Sequence, residues 1–213
     1  MVPTLDFVET RVLGCLVEKD LATPEYYPLT LNALTVACNQ KSNRDPVVSF
    51  TESQVDEALT SLQRKRLVGI QSGAGLRATK YRHTLKETLG LSREHLAILA
   101  ELMLRGPQTV GELRGRTARM CPFDSLESVE QTLSELAGRE SPLVQRLPRL
   151  TGQKGERYVQ LLSGEPDMEA LTTASPVSVE ADRIARLEEE VGDLQNRLQA
   201  LEDQFADFRR QFE

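Results

Sequence analysis

Along the chain the apolar positions switch between two periods, and the switch recurs twice in the same order. Val8, Val12, Leu13, Leu16 and Val17 keep helical spacing over residues 5–19, with Asp6 and Glu9 placed as a capping box. Leu31, Leu34 and Val36 predict a second helix over 30–39. A third, over 51–66, carries Val55, Ala58, Leu59, Leu62 and Arg66 on one stripe behind the capping pair Thr51 and Gln54. The period then drops to two: LVGI at 67–70, a glycine-containing turn and LRATKYRH at 76–83 predict a hairpin.

The second stretch repeats this grammar. A helix with Leu96, Ile98, Leu99, Leu102 and Met103 stops at Arg105-Gly106-Pro107, and Thr109 with Glu112 caps a short helix after it. Asp124 and Glu127 are placed to cap a third helix, striped by Val129, Leu133 and Leu136. LVQRL at 143–147 and RYVQLL at 157–162 flank another glycine-containing turn. Val55, Leu59 and Leu62 superpose without a gap on Val129, Leu133 and Leu136. Three helices followed by a two-stranded wing is the winged form of the helix-turn-helix, and its repetition strengthens each copy. The expected fold is therefore mainly α with small β-wings. It comprises a first winged-helix domain at 1–90, a second at 91–162, a flexible acidic linker at 163–180 and a coiled-coil helix at 181–213.

The last segment rests on the most specific pattern in the chain. Ile184, Leu187, Val191, Leu194, Leu198, Leu201, Phe205, Phe208 and Phe212 alternate steps of three and four residues, an unbroken heptad seam. In a parallel pair Arg183 would face Glu188 and Arg197 would face Glu202, both attractive, so a homodimer is the expected assembly.

Charge, divided along the chain, changes the picture. The net charge is −6, but residues 1–90 and 91–164 each carry +1, and residues 165–213 carry −8. The acidity belongs to the tail and does not oppose nucleic-acid binding by the body. No apolar run reaches the roughly 20 residues of a membrane span, and the N-terminus lacks a secretory pattern. Three widely spaced cysteines, Cys15, Cys38 and Cys121, fit buried thiols in a reducing compartment, so a cytoplasmic location is expected.

Candidate chemistry is sparse. Gly73-Ala74-Gly75-Leu76-Arg77-Ala78 matches the dinucleotide pattern G-x-G-x-x-G/A, but an alternating strand follows where a helix would be required. Gly152 and Gly155 sit in the second wing turn. The two histidines, His83 and His95, have no ligand partners at metal-like spacing, and no catalytic motif is visible. No cofactor, metal or enzymatic activity is expected. Nucleic acid is the open question, since a winged helix places its third helix in a groove and its wing against phosphates. Arg64, Lys65 and Arg66 at the end of the third helix suit backbone contacts, as do Arg77, Lys80 and Arg82 in the wing and Lys41 and Arg44 in the preceding turn cluster. In the second stretch the matching helix face is acidic, and bases gather instead at Arg146, Arg149, Lys154 and Arg157.

RVLGCLVEKDLATPEYYPLTLNALTVACNQKSNRDPV, residues 11–47, resembles the signature of the YceH family of bacterial proteins, and the likeness extends over nearly all of 4–162. It implies a tandem winged-helix fold and brings no catalytic or ligand residues. The leading expectation is a dimeric, non-enzymatic DNA-binding or regulatory protein. The alternative is an adaptor that uses its winged helices as docking surfaces for an unidentified protein partner.

Overall fold

The computed structural model describes residues 3–71, 78–148 and 155–166. They form a mainly helical structure with two small antiparallel sheets. The expected linker beyond 166 and the heptad seam Ile184, Leu187, Val191, Leu194, Leu198, Leu201, Phe205 and Phe208 lie outside the described residues.

α1 spans Phe7–Ala22, and Asp6 caps it reciprocally with Glu9. A single 3-10 turn at Pro24–Tyr26 leads to α2, Leu31–Cys38, capped by Thr30. α3, Glu52–Arg64, starts at the Thr51–Gln54 box and buries the expected stripe of Val55, Ala58, Leu59 and Leu62. It ends two residues earlier than its apolar stripe predicts, because Arg66 adopts the left-handed region at φ 59° and turns the chain into β1. β1, Val68–Gln71, pairs antiparallel with β2, Lys80–His83, with Val68 opposite His83.

A short helix that the sequence pattern does not announce, α4 at Leu85–Leu89, connects to α5, Arg93–Arg105. β3, Gln108–Thr109, precedes α6, Val110–Thr117, whose Thr109–Glu112 box is as expected. α7 covers Leu126–Ala137, and here the expected cap needs correction. Ser125, not Asp124, is the capping residue; its hydroxyl accepts from the Ser128 amide at 3.2 Å. The Asp124 carbonyl instead accepts from Arg114. β4, Val144–Arg146, and β5, Arg157–Gln160, form the second hairpin, and β3 adds to its edge in the order β3-β5-β4.

The two halves share one hydrophobic cluster. α1 is buried on both sides, packing on α2 and α3 with one face and on α5 with the other. The second contact is close because of Gly14: a Cβ there would stand 3.0 Å from the Met103 Cβ and 3.1 Å from Leu104. At the chain's start the Leu5 amide bonds the Leu162 carbonyl at 2.7 Å. No described helix is long and apolar enough to cross a membrane.

Candidate functional site

Arg11, Gly14, Cys15 and Glu18 follow one another along α1 at the i, i+3, i+4, i+7 spacing of a single helix face. That face is buried, and it receives the loop after α2. Arg44, from that loop, is fully buried and meets Glu18 in a bidentate pair at 3.0 and 2.5 Å. Its remaining donors bond the Ala37 carbonyl, the Gln40 amide oxygen at 2.9 Å and its neighbour Asn43's carbonyl at 2.8 Å. Arg44 thus leaves the set of expected phosphate contacts: its charge is neutralised inside the fold and has no path to a phosphate.

The pair is one side of a ring. Arg119, after α6, donates to Glu18 and stands 3.5 Å from Glu101 on α5. Glu101 lies 3.2 Å from Nε of Arg105, which in turn donates to the Asn43 side chain and so returns to the loop. The two carboxylates are driven apart. Burial pushes Glu18 up, but the Arg44 hydrogen bonds and charge, aided by Arg119 and Lys19, outweigh it and hold Glu18 below the ordinary carboxylate range. Burial pushes Glu101 up as well, and there Arg105 and Arg119 offset it only in part, so Glu101 is raised. Opposed shifts in one cluster can mark functional chemistry, but structural ion-pair networks produce them too. Here the ring's contacts join the two halves of the fold.

The remaining expected contacts divide. Lys41, Arg64 and Arg66 are exposed and Lys80 is half-buried, and none of their side chains has a partner among the described residues. Lys65 is tied down: its Nζ lies 2.6 Å from both oxygens of buried Glu9 and donates to the Thr4 carbonyl at 2.8 Å. Burial would raise Glu9, but Lys65, the Ser61 hydroxyl and the Asp6 amide hold it below its ordinary value. Arg82 pairs with Glu87 at 2.7 Å on the surface, and Arg77 lies outside the described residues. In the second half Arg146 pairs with Glu156 and Arg157 with Glu112, both at 3.0 Å. Arg149 and Lys154 fall outside the described residues. His83 is buried with Nε2 3.1 Å from Asp20, and His95 links the α5 cap to Glu135 at 3.0 Å.

Sequence reasoning missed Glu18, Glu101, Arg105 and Arg119. A signal existed in α1: the positions between its two opposite charges on the shared face are Gly14 and Cys15, small residues that allow a second element to close over them. A glycine in mid-helix costs about 1 kcal/mol relative to alanine and calls for a packing reason.

These features define a class: a mainly helical protein whose halves are joined through a guanidinium–carboxylate ring in which Glu18, Arg44 and Glu101 are buried and Arg119 reaches the surface. The chain belongs to the family described as "Protein of unknown function, DUF480", whose profile matches residues 5–153. It is 55% identical to a UPF0502 protein of Geobacter sulfurreducens over 98% of each chain. It is 53% identical to a UPF0502 protein of Geobacter metallireducens over the full length of both, and 50% identical to one of Solibacter usitatus over 98% of each.

Proposed function

We propose that this is a non-enzymatic, cytoplasmic DNA-binding or regulatory protein. In this reading residues 1–90 and 91–162 are winged-helix domains, and the heptad tail at 181–213 joins two copies. The repeated order of three helices and a hairpin supports the winged-helix reading, as does the YceH-like signature at 11–47. The observation that carries the DNA reading is the uneven fate of the cations. The described arginines from Arg93 onward are engaged with carboxylate, amide or carbonyl oxygens of the fold. Arg64, Arg66, Lys80 and Lys41, all in the first half, have no such partner among the described residues. Phosphate contact therefore belongs to the end of α3, the first wing and the loop after α2. These are backbone contacts, which set position and affinity more than sequence choice.

A second reading has its own observation. The outward faces of α3 (Glu52, Asp56, Glu57) and α7 (Glu127, Glu130, Glu135) are exposed and acidic. A face of that kind repels phosphate and suits a basic protein partner, which favours an adaptor.

Binding of the full-length protein to random duplex DNA across a salt series separates the two. The DNA reading expects log affinity to fall with log salt at roughly −0.9 per phosphate contact, and the slope to shrink when Arg64, Arg66 and Lys80 become Ala. Absence of binding at low salt, or a slope indifferent to those substitutions, removes it in favour of the adaptor.

A further inference from the structure

Around the ring the two signs of charge are sorted by depth. The side chains of Glu18 and Glu101 are 0% and 1% exposed, whereas Arg119 is 38% exposed and Lys19 and Arg105 are each 20% exposed. Lys19 Nζ stands 3.8 Å from one Glu18 oxygen, and Arg119 donates to the other. With Arg44 and Arg105, four cations share two carboxylates, an excess of two positive charges. Arg11 and the exposed Asp45 add one charge of each sign and leave that excess unchanged. Arg116, one turn before Arg119, is matched by Glu112 at 3.5 Å. The negative ends of the helices that meet here do not absorb the excess either. The carbonyls of Lys19, Ala37, Leu102, Leu104 and Thr117, at the ends of α1, α2, α5 and α6, already accept hydrogen bonds from the chain.

Donors are left over as well. Arg119 meets both carboxylates through Nη2 alone; its Nε and Nη1 have no acceptor among the described residues. Lys19 reaches the Gln40 amide oxygen only at 3.5 Å, too long for a strong hydrogen bond. Lys41, the next residue after Gln40, is exposed and has no partner among the described residues. We propose that Lys19, Lys41 and Arg119 form an anion site at the junction of the two halves, for a phosphate monoester or diphosphate group. The free edge of the guanidinium matches two phosphate oxygens, and the two ammonium groups supply point charge. An excess of two charges suits a group that carries at least two of the opposite sign, whereas a nucleic-acid backbone brings one per phosphate. Glu18 and Glu101 lie beneath the cations, where an anion on the surface does not meet them. A ligand held there bridges α1 and its following loop to the segment after α6, so its binding stabilises the joined state. Lys41 also belongs to the DNA reading, but Lys19 and Arg119 do not, and the site does not rest on it.

The test is isothermal titration calorimetry of the full-length protein with sodium pyrophosphate, the ionic strength being held constant with chloride. The expected result is saturable binding of one pyrophosphate per chain. Lys19→Gln removes a side chain whose contacts are 3.5 Å and longer, so it spares the fold. It should weaken binding by about tenfold, the loss of one charge-assisted contact. Arg119→Gln should weaken it at least as much, and Lys86→Gln, at an exposed cation on α4, should leave it unchanged. Heat that does not saturate, or an affinity that Lys19→Gln leaves intact, would overturn the proposal. An equal loss in Lys86→Gln would do so too, because it would mark general attraction by surface charge. Random duplex DNA is the second arm. Pyrophosphate that stays bound in its presence supports a separate site. Displacement at equal phosphate concentration would assign the cations to a backbone and overturn the choice of ligand. A protein that takes up pyrophosphate and binds no DNA would retain this site and lose only the DNA reading.

Discussion

Glu18 and Glu101 share Arg119, yet removing their charges has opposite consequences. Glu18 is the counter-ion of Arg44, a guanidinium with no exposure, so Glu18→Gln leaves a buried charge uncompensated. The expected cost is about 3–5 kcal/mol. Glu101 carries a desolvation penalty that its partners only partly offset, so Glu101→Gln should change stability by no more than about 1 kcal/mol. The pH dependences also differ in sign. Glu18 is depressed in the fold, so its contribution is present above the ordinary carboxylate value of 4.5 and is lost as pH falls through the folded value. Glu101 is raised, so the folded state holds its proton longer than the unfolded chain does, and stability falls as pH rises from 4.5 through its folded value. Urea midpoints over a pH series should show Glu18→Gln losing its share of the acid limb and Glu101→Gln flattening the limb above it. Equal costs for the two substitutions would refute this division. Little of this was legible beforehand. A charged residue on a helix reads as solvated unless a second buried face is recognised, and Arg44 in a turn cluster looks identical whether it points outward or inward.

At the scale of elements, legibility followed amphipathicity. α3 and α7 bury single stripes, and their positions follow from spacing alone. β3 has two residues and exists only through pairing with β5, so no local pattern encodes it. α4 is five residues, too short to display a period. The apolar spacing of α1 predicts a helix but not that two of its faces are buried, the second closed by α5 over Gly14. That contact supplies a prediction. Gly14→Val places branched carbons where even a Cβ meets Met103 at 3.0 Å, so α1 and α5 must separate. The expected loss is about 1–3 kcal/mol from overpacking, despite glycine being the poorer helix former. Chemical denaturation measures it; a neutral or stabilising result would mean that the contact relaxes freely.

For the molecule as a whole, the decisive fact is that contacts between the halves use the same residues that organise each half. The Asp45 amide donates to the Leu104 carbonyl at 2.9 Å, while its neighbour Arg44 anchors the loop to α1. Arg93, at the start of α5, bonds the Leu21 carbonyl near the end of α1 at 3.1 Å. Arg119 reaches back from the second half to Glu18. A chain cut after residue 90 would keep α1 but lose α5, exposing the Gly14 face and leaving Glu18 without Arg119. Two domains with separate cores would each survive such a cut, but here residues of both halves belong to one hydrophobic cluster. The expectation here is the reverse: a fragment of residues 1–90 should show no cooperative thermal transition by circular dichroism, whereas 1–166 should melt in a single one. A cooperative melt of 1–90 alone would establish independent domains and reduce the ring to a surface clasp. A single transition would mean that the cations of the first half and the acidic face of α7 are held in one fixed relation, so that any partner, nucleic acid or protein, meets both at once.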